Sequence, residues 1–530
     1  QYYHFYFRGT TLTGTNLKDE ALTSFSLATK TDGFVVGESI HRLKTLGTFA
    51  RVNYDYLGRY LIEISARADG SSRFEKGKRW AFFPSASAGW RISDEPFFQS
   101  AKGAVSNLKL RYSYGALGNQ QMSSYYPYYD VIKDISVMSY TLDAESKLIS
   151  ASVSDPISSG LTWETVTTHN LGLDMGFLAD RLSVTAEGYI RDTKNMLTTS
   201  ITLPSVYGAA SPKENCADLR TLGYEVYMTW KDGFTLAGKP FNYSVTGTLG
   251  DYKTIITRYN NPTKLLSDHY VGQVLGEIWG YHVEGLFKTD EEAQAYSAEI
   301  NSKPVQGYVF SSKNPEESYL RAGDVIFADS NGDKIISQGS NTKDNPGDKS
   351  VIGNTNPRYL YSGRLDFDWN GFDFSMFLQG IGKRNWYPRN GDSSFNFWGP
   401  YALASAGFIH KDFESNCWSE DNTGAYFPRR RGKLAYSGSA LGEINDRYLQ
   451  NIGYLRLKNL SFGYTFKFKK GVEKMRVAFV GENLWYWLPM KKYCKIIDPE
   501  LATSSNSQYS NCGSGFAFPS TYTLNLQINF

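Results

Sequence analysis

Four cysteines in 530 residues are too few for a disulfide scaffold, and the absence of any Cys-x-x-Cys excludes the common zinc frameworks. Histidine is equally scarce. His4, His41, His169, His269, His282 and His410 are scattered, with no His-x-x-x-His pair, no Gly-x-Ser-x-Gly elbow and no phosphate-binding Gly-rich loop. Catalysis finds no support in such a chain. No apolar run approaches the roughly 20 residues that a spanning helix needs, and a mean hydropathy of −0.41 is too polar for a helical membrane protein. An excess of one charge is also missing. The 56 Lys and Arg stand against 53 Asp and Glu, without a long basic run, so nucleic acid is not an expected partner.

The chain is rich instead in aromatic residues, 15% of the total with 38 Tyr, and in glycine, with 49. Its last stretch, TYTLNLQINF, alternates with period two. Tyr522, Leu524, Leu526, Ile528 and Phe530 share one face of an extended strand, and Thr523, Asn525, Gln527 and Asn529 share the other. Similar runs recur upstream, among them MRVAFVGENLW (475–485), YLRLKNLSFGYTFKF (454–468), YLYSGRLDFDW, FDFSMFLQG, RLSVTAEGYI, NLKLRYSYG and RYLIEISARAD. The apolar phase of 454–468 slips at Lys458-Asn459, which predicts a β-bulge. Asn370-Gly371 between two alternating runs predicts a hairpin with both residues at positive φ. About 13 or 14 strands are expected in all.

The connections alternate in length. Tight turns are expected around Gly58, Asp180, Gly233 and Gly371 and near Gly471. Long connections run from Gly115 to Thr167, Asp251 to Pro357, Ile381 to Asn451 and Leu488 to Ser520. Structureless loops of that length are uncommon in compact soluble domains. Short turns on one side and long loops on the other describe an outer-membrane barrel, with its turns periplasmic and its loops extracellular. A soluble sandwich or propeller would show more even loops and an internal repeat, and no repeat occurs. The expected fold class is therefore all-β, a transmembrane antiparallel β-barrel. Residues 251–357 and 381–452 are expected as long extracellular loops.

Longer blocks carry a family resemblance. YLIEISARADGSSRFEKGKRWAFFPSASAGWRISDEPFF (60–98), LTWETVTTHNLGLDMGFLADRLSVTAEGYIRDTKNML (161–197), RAGDVIFADSNGDKIIS with DKSVIGNTNPRYLYSGRLDFDWNGFDFSMFLQG (321–380), and the closing YLRLKNLSFGYTF and PSTYTLNLQINF resemble SusC-like TonB-dependent transporters of Bacteroidota. The resemblance implies about 14 C-terminal strands of a 22-stranded outer-membrane barrel importing glycan oligomers or peptides. It implies a SusD-like lipoprotein lid, and TonB–ExbB–ExbD acting through a plug that this sequence does not contain. Phe530 then belongs to the outer-membrane assembly signal. Gln1 opens directly onto a strand-like run, so the plug and the first strands are expected upstream in the same protein or in a split partner chain. A closed barrel of 14 strands is the other reading, less consistent with blocks that match the family's C-terminal part in order. A barrel serving as an assembly scaffold without import is the alternative function.

DSNGDKII (329–336) resembles the start of a calcium loop. Asp329, Asn331 and Asp333 offer side-chain oxygens and Ile335 its carbonyl, while Lys334 stands where glycine is usual and Ser340 where a bidentate carboxylate is expected. Placed on the family pattern, Asp348 is the acid that completes the set, so Ca2+ is the one cofactor considered. RNWYPRNGDSSFNFWGPY (384–401) gathers Trp386, Tyr387, Trp398 and Tyr401, whose ring faces suit stacking on sugars or peptide side chains. Cys494 and Cys512 share one loop and form a possible disulfide, and Cys216 and Cys417 are also expected in loops.

Overall fold

A computed structural model describes residues 2–13, 35–122, 125, 127–128, 132–135, 141–143, 146–147, 150–153, 156, 160–199, 206, 211–307, 319–388, 413–430, 443–468, 471–493, 498–500, 502 and 518–530. Fourteen strands form one antiparallel sheet in which spatial order follows chain order. They are β1 (Tyr2–Thr13), β2 (Val35–Tyr56), β3 (Tyr60–Ser71), β4 (Trp80–Arg91), β5 (Val105–Asn119), β6 (Glu164–Phe177) and β7 (Leu182–Thr199), then β8 (Lys213–Leu236), β9 (Lys239–Arg258), β10 (Arg358–Trp369), β11 (Phe372–Lys383), β12 (Tyr454–Lys467), β13 (Lys474–Trp487) and β14 (Thr521–Asn529). The chain divides into two compact units: residues 1–90, 111–170 and 190–220, and residues 91–110, 171–189 and 221–530. No helix among the described residues is long and apolar enough to cross a membrane.

The period-two pattern becomes two chemically distinct faces. In the second unit an apolar row runs Tyr243–Phe367–Phe374–Phe462–Phe479–Leu524 across six strands, β9 to β14. Ser244, Asp366, Ser375, Ser461, Val480 and Thr523 form the next row on the opposite face. Phe462 and Leu524 stay exposed, as side chains that face acyl chains must when protein alone surrounds them. In the first unit Tyr54, Ile62 and Ala88 form an outer row, while Asn53, Glu63 and Ser87 form the inner one.

The irregularities follow local chemistry. The register shifts between Leu457 and Asn459, so the phase slip at Lys458-Asn459 is a bulge. Asn370 (φ 47°) and Gly371 (φ 90°) both take the left-handed region in the β10–β11 hairpin. Two expectations need correction. The β8–β9 turn falls at Ala237 (φ 50°) and Gly238 (φ 73°), not at Gly233, which lies inside β8. Cys216, expected in a loop, also lies in β8. In both cases the strand outruns the membrane-spanning pattern: β8 has 24 residues, about twice the length needed to cross a bilayer.

Candidate functional site

The largest buried cluster among the described residues lies in the long connections of the second unit and meets the sheet at Tyr454 of β12 and Ile381 of β11. Trp386, Phe327, Tyr281, Tyr448, Phe427 and Ile336, each 2% exposed or less, pack together there. Short hairpins frame it: Glu277–Tyr281 pairs with Lys349–Asn354, Val283–Leu286 with Val325–Phe327, and Asn385–Trp386 with Gln450–Asn451. A helix over Asp290–Glu299 joins it through Tyr296, which donates to the Phe327 carbonyl at 2.8 Å. It starts at Thr289, whose Oγ1 accepts the Glu292 N–H at 3.2 Å, while Glu292 accepts the Lys288 N–H at 2.6 Å, a close relative of the capping box. Burial raises the pKa of Tyr281, Tyr296 and Tyr448 above the ordinary tyrosine value. These connections are a folded body with a core of their own.

The calcium-like segment is held by its own backbone. Asp329 accepts the N–H groups of Gly332 (2.8 Å) and Lys334 (2.9 Å). Asn331 accepts from the Asp333 N–H (2.9 Å), and Asp333 from the Ile335 N–H (2.8 Å). Asp348, fully buried, accepts the N–H groups of Ser330 and Ser337, both at 2.8 Å, and so ties the two ends of the segment. Lys334 takes φ 64°, the left-handed conformation that glycine usually supplies at this place in a calcium loop. Its Nζ turns out to Glu299 at 3.0 Å rather than toward the acids. Ile335 is exposed, and Ile336 anchors the segment in the core. Among the described residues no three His, Cys, Asp or Glu side chains converge on one centre, so Asp329, Asp333 and Asp348 do not share one.

Trp386 is 1% exposed and Tyr387 7%. Tyr387 donates to the Glu443 carbonyl at 2.9 Å and accepts from the Asn445 amide at 2.9 Å. Both rings are core and hold up the loop body; their faces are already covered by protein. Trp398, Tyr401, Cys494 and Cys512 lie outside the described residues. Arg384 donates to the Thr355 carbonyl at 3.0 Å, and burial holds its pKa below the usual arginine value. Phe530 follows β14 and is 89% exposed.

The structure also unites residues that no sequence spacing connects. His282 stands 2.7 Å from Asp446 through Nδ1 and 2.7 Å from Ser350 through Nε2. Asp446 also accepts the Val283 N–H at 2.9 Å. The order of groups resembles an acyl-transfer relay, but His282 and Asp446 are both solvent-exposed. Water competes for every bond in it, and its evident work is to staple three chain segments.

The strands carry ion pairs, and two cavities lie against them. In the second unit Arg358 grips Asp251 through two bonds of 2.6 and 2.5 Å. Arg476 grips Asp373 from two strands away. A cavity of about 680 Å³ beside the Arg476–Asp373 pair is lined by Lys231, Asn242, Asp366, Asp373 and Arg476. In the first unit a cavity of about 510 Å³ is lined by Tyr3, Arg67, Asp69, Gln120 and Trp163. Phe5, Phe7, His41 and Tyr125 stack in a ladder in the same unit, with His41 and Tyr125 centroids 4.7 Å apart. Arg73 lies over Tyr125 at 4.9 Å.

Comparison with known proteins agrees with this architecture. TonB-dependent receptor P3 of Formosa agariphila is 27% identical over 522 residues, covering 93% of this chain and 46% of its own length. TonB-dependent receptor SusC of Bacteroides thetaiotaomicron is 27% identical over 433 residues, covering 79% and 37%. The chain thus spans less than half the length of these relatives. A chain of the RagAB peptide transporter shares the fold with a TM-score of 0.71 at 19% identity, over 100% of this chain and 52% of that one. The model of the family described as TonB dependent receptor-like, beta-barrel matches residues 2–484, and this chain belongs to that family of outer-membrane β-barrel proteins.

Proposed function

We propose that this chain is the barrel portion of an importer that takes up glycan oligomers or peptides as part of a SusC–SusD type complex. A SusD-like lipoprotein would close over the body built from the long connections, which face the cell exterior. TonB, energised by ExbB and ExbD, would act through a plug carried by the rest of the protein. The observation that carries this reading is the two-faced strand set. Apolar rows cover one side, while the other bears compensated ion pairs and cavities large enough for a sugar or a dipeptide. The stacked rings of Phe5, Phe7, His41 and Tyr125 are the described aromatics best suited to cargo; Trp398 and Tyr401 remain candidates for the same work. Within this reading a Ca2+ ion at Asp329, Asn331, Asp333, the Ile335 carbonyl or Asp348 would stiffen one loop and take no part in transport. Phe530 would carry the assembly signal.

The test is growth and uptake in a strain lacking the gene, supplied with defined oligosaccharides or peptides as the limiting nutrient. Import predicts a substrate-dependent defect, reproduced by disabling TonB and reversed by the intact gene. Normal uptake with a disturbed outer-membrane assembly would replace import with the scaffold reading.

A further inference from the structure

The outer face of β1 and β2 carries a second feature, independent of cargo. Side chains at even positions from Tyr2 to Thr10 of β1 and from Ile40 to Tyr56 of β2 point outward. From the tight turn upward β2 presents Tyr56, Tyr54, Val52, Ala50, Thr48 and Leu46. Tyr60 and Trp90, facing one another across β3 and β4, mark the lower level. Trp80 opposes Gly70, and Gly70 opposes Leu46, so the exposed Trp80 marks the upper one. At about 3.3 Å per residue and a tilt of about 40°, ten residues from Tyr56 to Leu46 rise about 25 Å. That is the height of a lipid-facing apolar band with its two aromatic girdles.

Immediately above the band come three cations, Lys44, Arg42 and Arg8: His4 opposes Lys44, Tyr6 opposes Arg42 and Arg8 opposes Ile40, with Thr10 opposite Glu38 the next pair of the same parity. Arg42 lies over the Tyr6 ring at 5.3 Å from its centroid, which fixes the guanidinium at the surface. The neighbouring β3–β4 turn adds Lys76 and Lys78 against one acid, Glu75. The loop ends of β13 and β14, in the second unit, carry Trp485, Trp487 and Tyr522 and no such cluster of cations. We propose that His4, Arg8, Arg42 and Lys44 form a docking surface for the phosphate groups of an outer-leaflet glycolipid, whose acyl chains lie on the Tyr2–Leu46–Trp80 surface below. Cations one to three residues above an apolar band match a headgroup whose phosphates sit at the acyl boundary, and bidentate arginine suits phosphate oxygens.

The test compares the full-length protein carrying this chain with its R42S/K44S variant, both extracted in mild detergent from outer membranes. Phosphorylated glycolipid retained per mole of protein is measured. A charge near a membrane surface contributes about fivefold in affinity, so the double variant should bind about thirtyfold more weakly, while R42K/K44R stays within threefold. Heat-modifiable migration establishes that each variant is folded; if the double variant does not fold, K44S alone should show the fivefold loss. Equal retention by wild type and variant overturns the proposal. So does equal binding to vesicles whose glycolipid has been dephosphorylated, or displacement of the glycolipid by inorganic phosphate, which would mark a free-anion site.

Discussion

Asp348 offers the sharpest test of how the loop body is held. Its carboxylate is fully buried and receives two backbone N–H groups, from Ser330 and Ser337, at 2.8 Å each. Asp348→Ala strands both donors. A hydrogen bond to a charged group contributes about 1.5–3 kcal/mol, so the loss is about 3–6 kcal/mol of local stability. Asp348→Asn keeps one acceptor oxygen and should lose about half as much. Hydrogen exchange of peptides spanning 329–338 in the full-length protein measures this directly. At 1.36 kcal/mol per decade, exchange should accelerate by about two to four orders of magnitude in the alanine variant and one to two in the asparagine variant. Peptides from β10 and β11 should be unchanged. Identical exchange in wild type and Asp348→Ala would refute the reasoning. Added Ca2+ separates a further question: if these oxygens also hold an ion, calcium slows wild-type exchange and has no effect on Asp348→Ala. A wild type indifferent to calcium leaves the segment held by its amides alone.

Three other outcomes are expected. Trp386→Ala should cost about 3–5 kcal/mol and open the connections to limited proteolysis, while the strands keep their heat-modifiable gel shift; loss of both together would show that loop body and strands fold as one. Gly463 lies between Asp373 and Ala478, and a Cβ there would sit 2.8 Å from an Arg476 nitrogen and 2.9 Å from an Asp373 oxygen. Gly463→Ala should therefore break the ion pair that reaches across it, costing about 1–3 kcal/mol, seen as a lower midpoint of the gel shift; an unchanged midpoint would mean the pair re-forms freely. Burial raises the pKa of Tyr281, Tyr296 and Tyr448, so the folded state binds these protons more tightly than the unfolded chain does. Their contribution is complete below about pH 10, the unfolded value, and is lost as pH rises toward the folded values. Beyond the gradual titration of the exposed tyrosines, tyrosinate absorbance should then show a late, cooperative step coinciding with protease sensitivity, and the absence of that step would contradict this.

The strands were legible because each residue's environment is decided by its immediate neighbours. Tyr522 to Phe530 face lipid or lumen according to parity alone, and Asn370-Gly371 and the slip at Lys458-Asn459 are equally local. The loop body was not legible. Trp386 and Tyr387 have the composition of a stacking site, and only the arrival of Tyr448, Phe427 and Phe327 from elsewhere turns them into core. His282, Ser350 and Asp446 are joined by contacts spanning 68 and 164 positions, and no spacing rule reaches that far. The calcium-like segment falls between these cases. Its turn is local and forms as written, even with Lys334 at the glycine position, but the acid that closes it, Asp348, comes 19 residues after Asp329 at the end of the same connection.

The two regions also answer to different solvents. A row such as Tyr243–Phe367–Phe374–Phe462–Phe479–Leu524 gains little by packing on protein, because its outward side chains meet acyl chains as apolar as themselves. What holds the strands there is the requirement that every backbone N–H and C=O be paired where no water can replace a partner. The connections are held in the opposite way, by withdrawing Trp386, Tyr448 and Phe327 from water, a gain that vanishes in hydrocarbon and weakens in urea. Denaturant should therefore melt the connections while the ladder between strands persists, and replacing lipid by harsh detergent should reverse the order. Cargo recognition placed on the connections can change with little cost to the ladder. Changes to Arg358–Asp251 cannot, since removing the arginine leaves the buried Asp251 uncompensated.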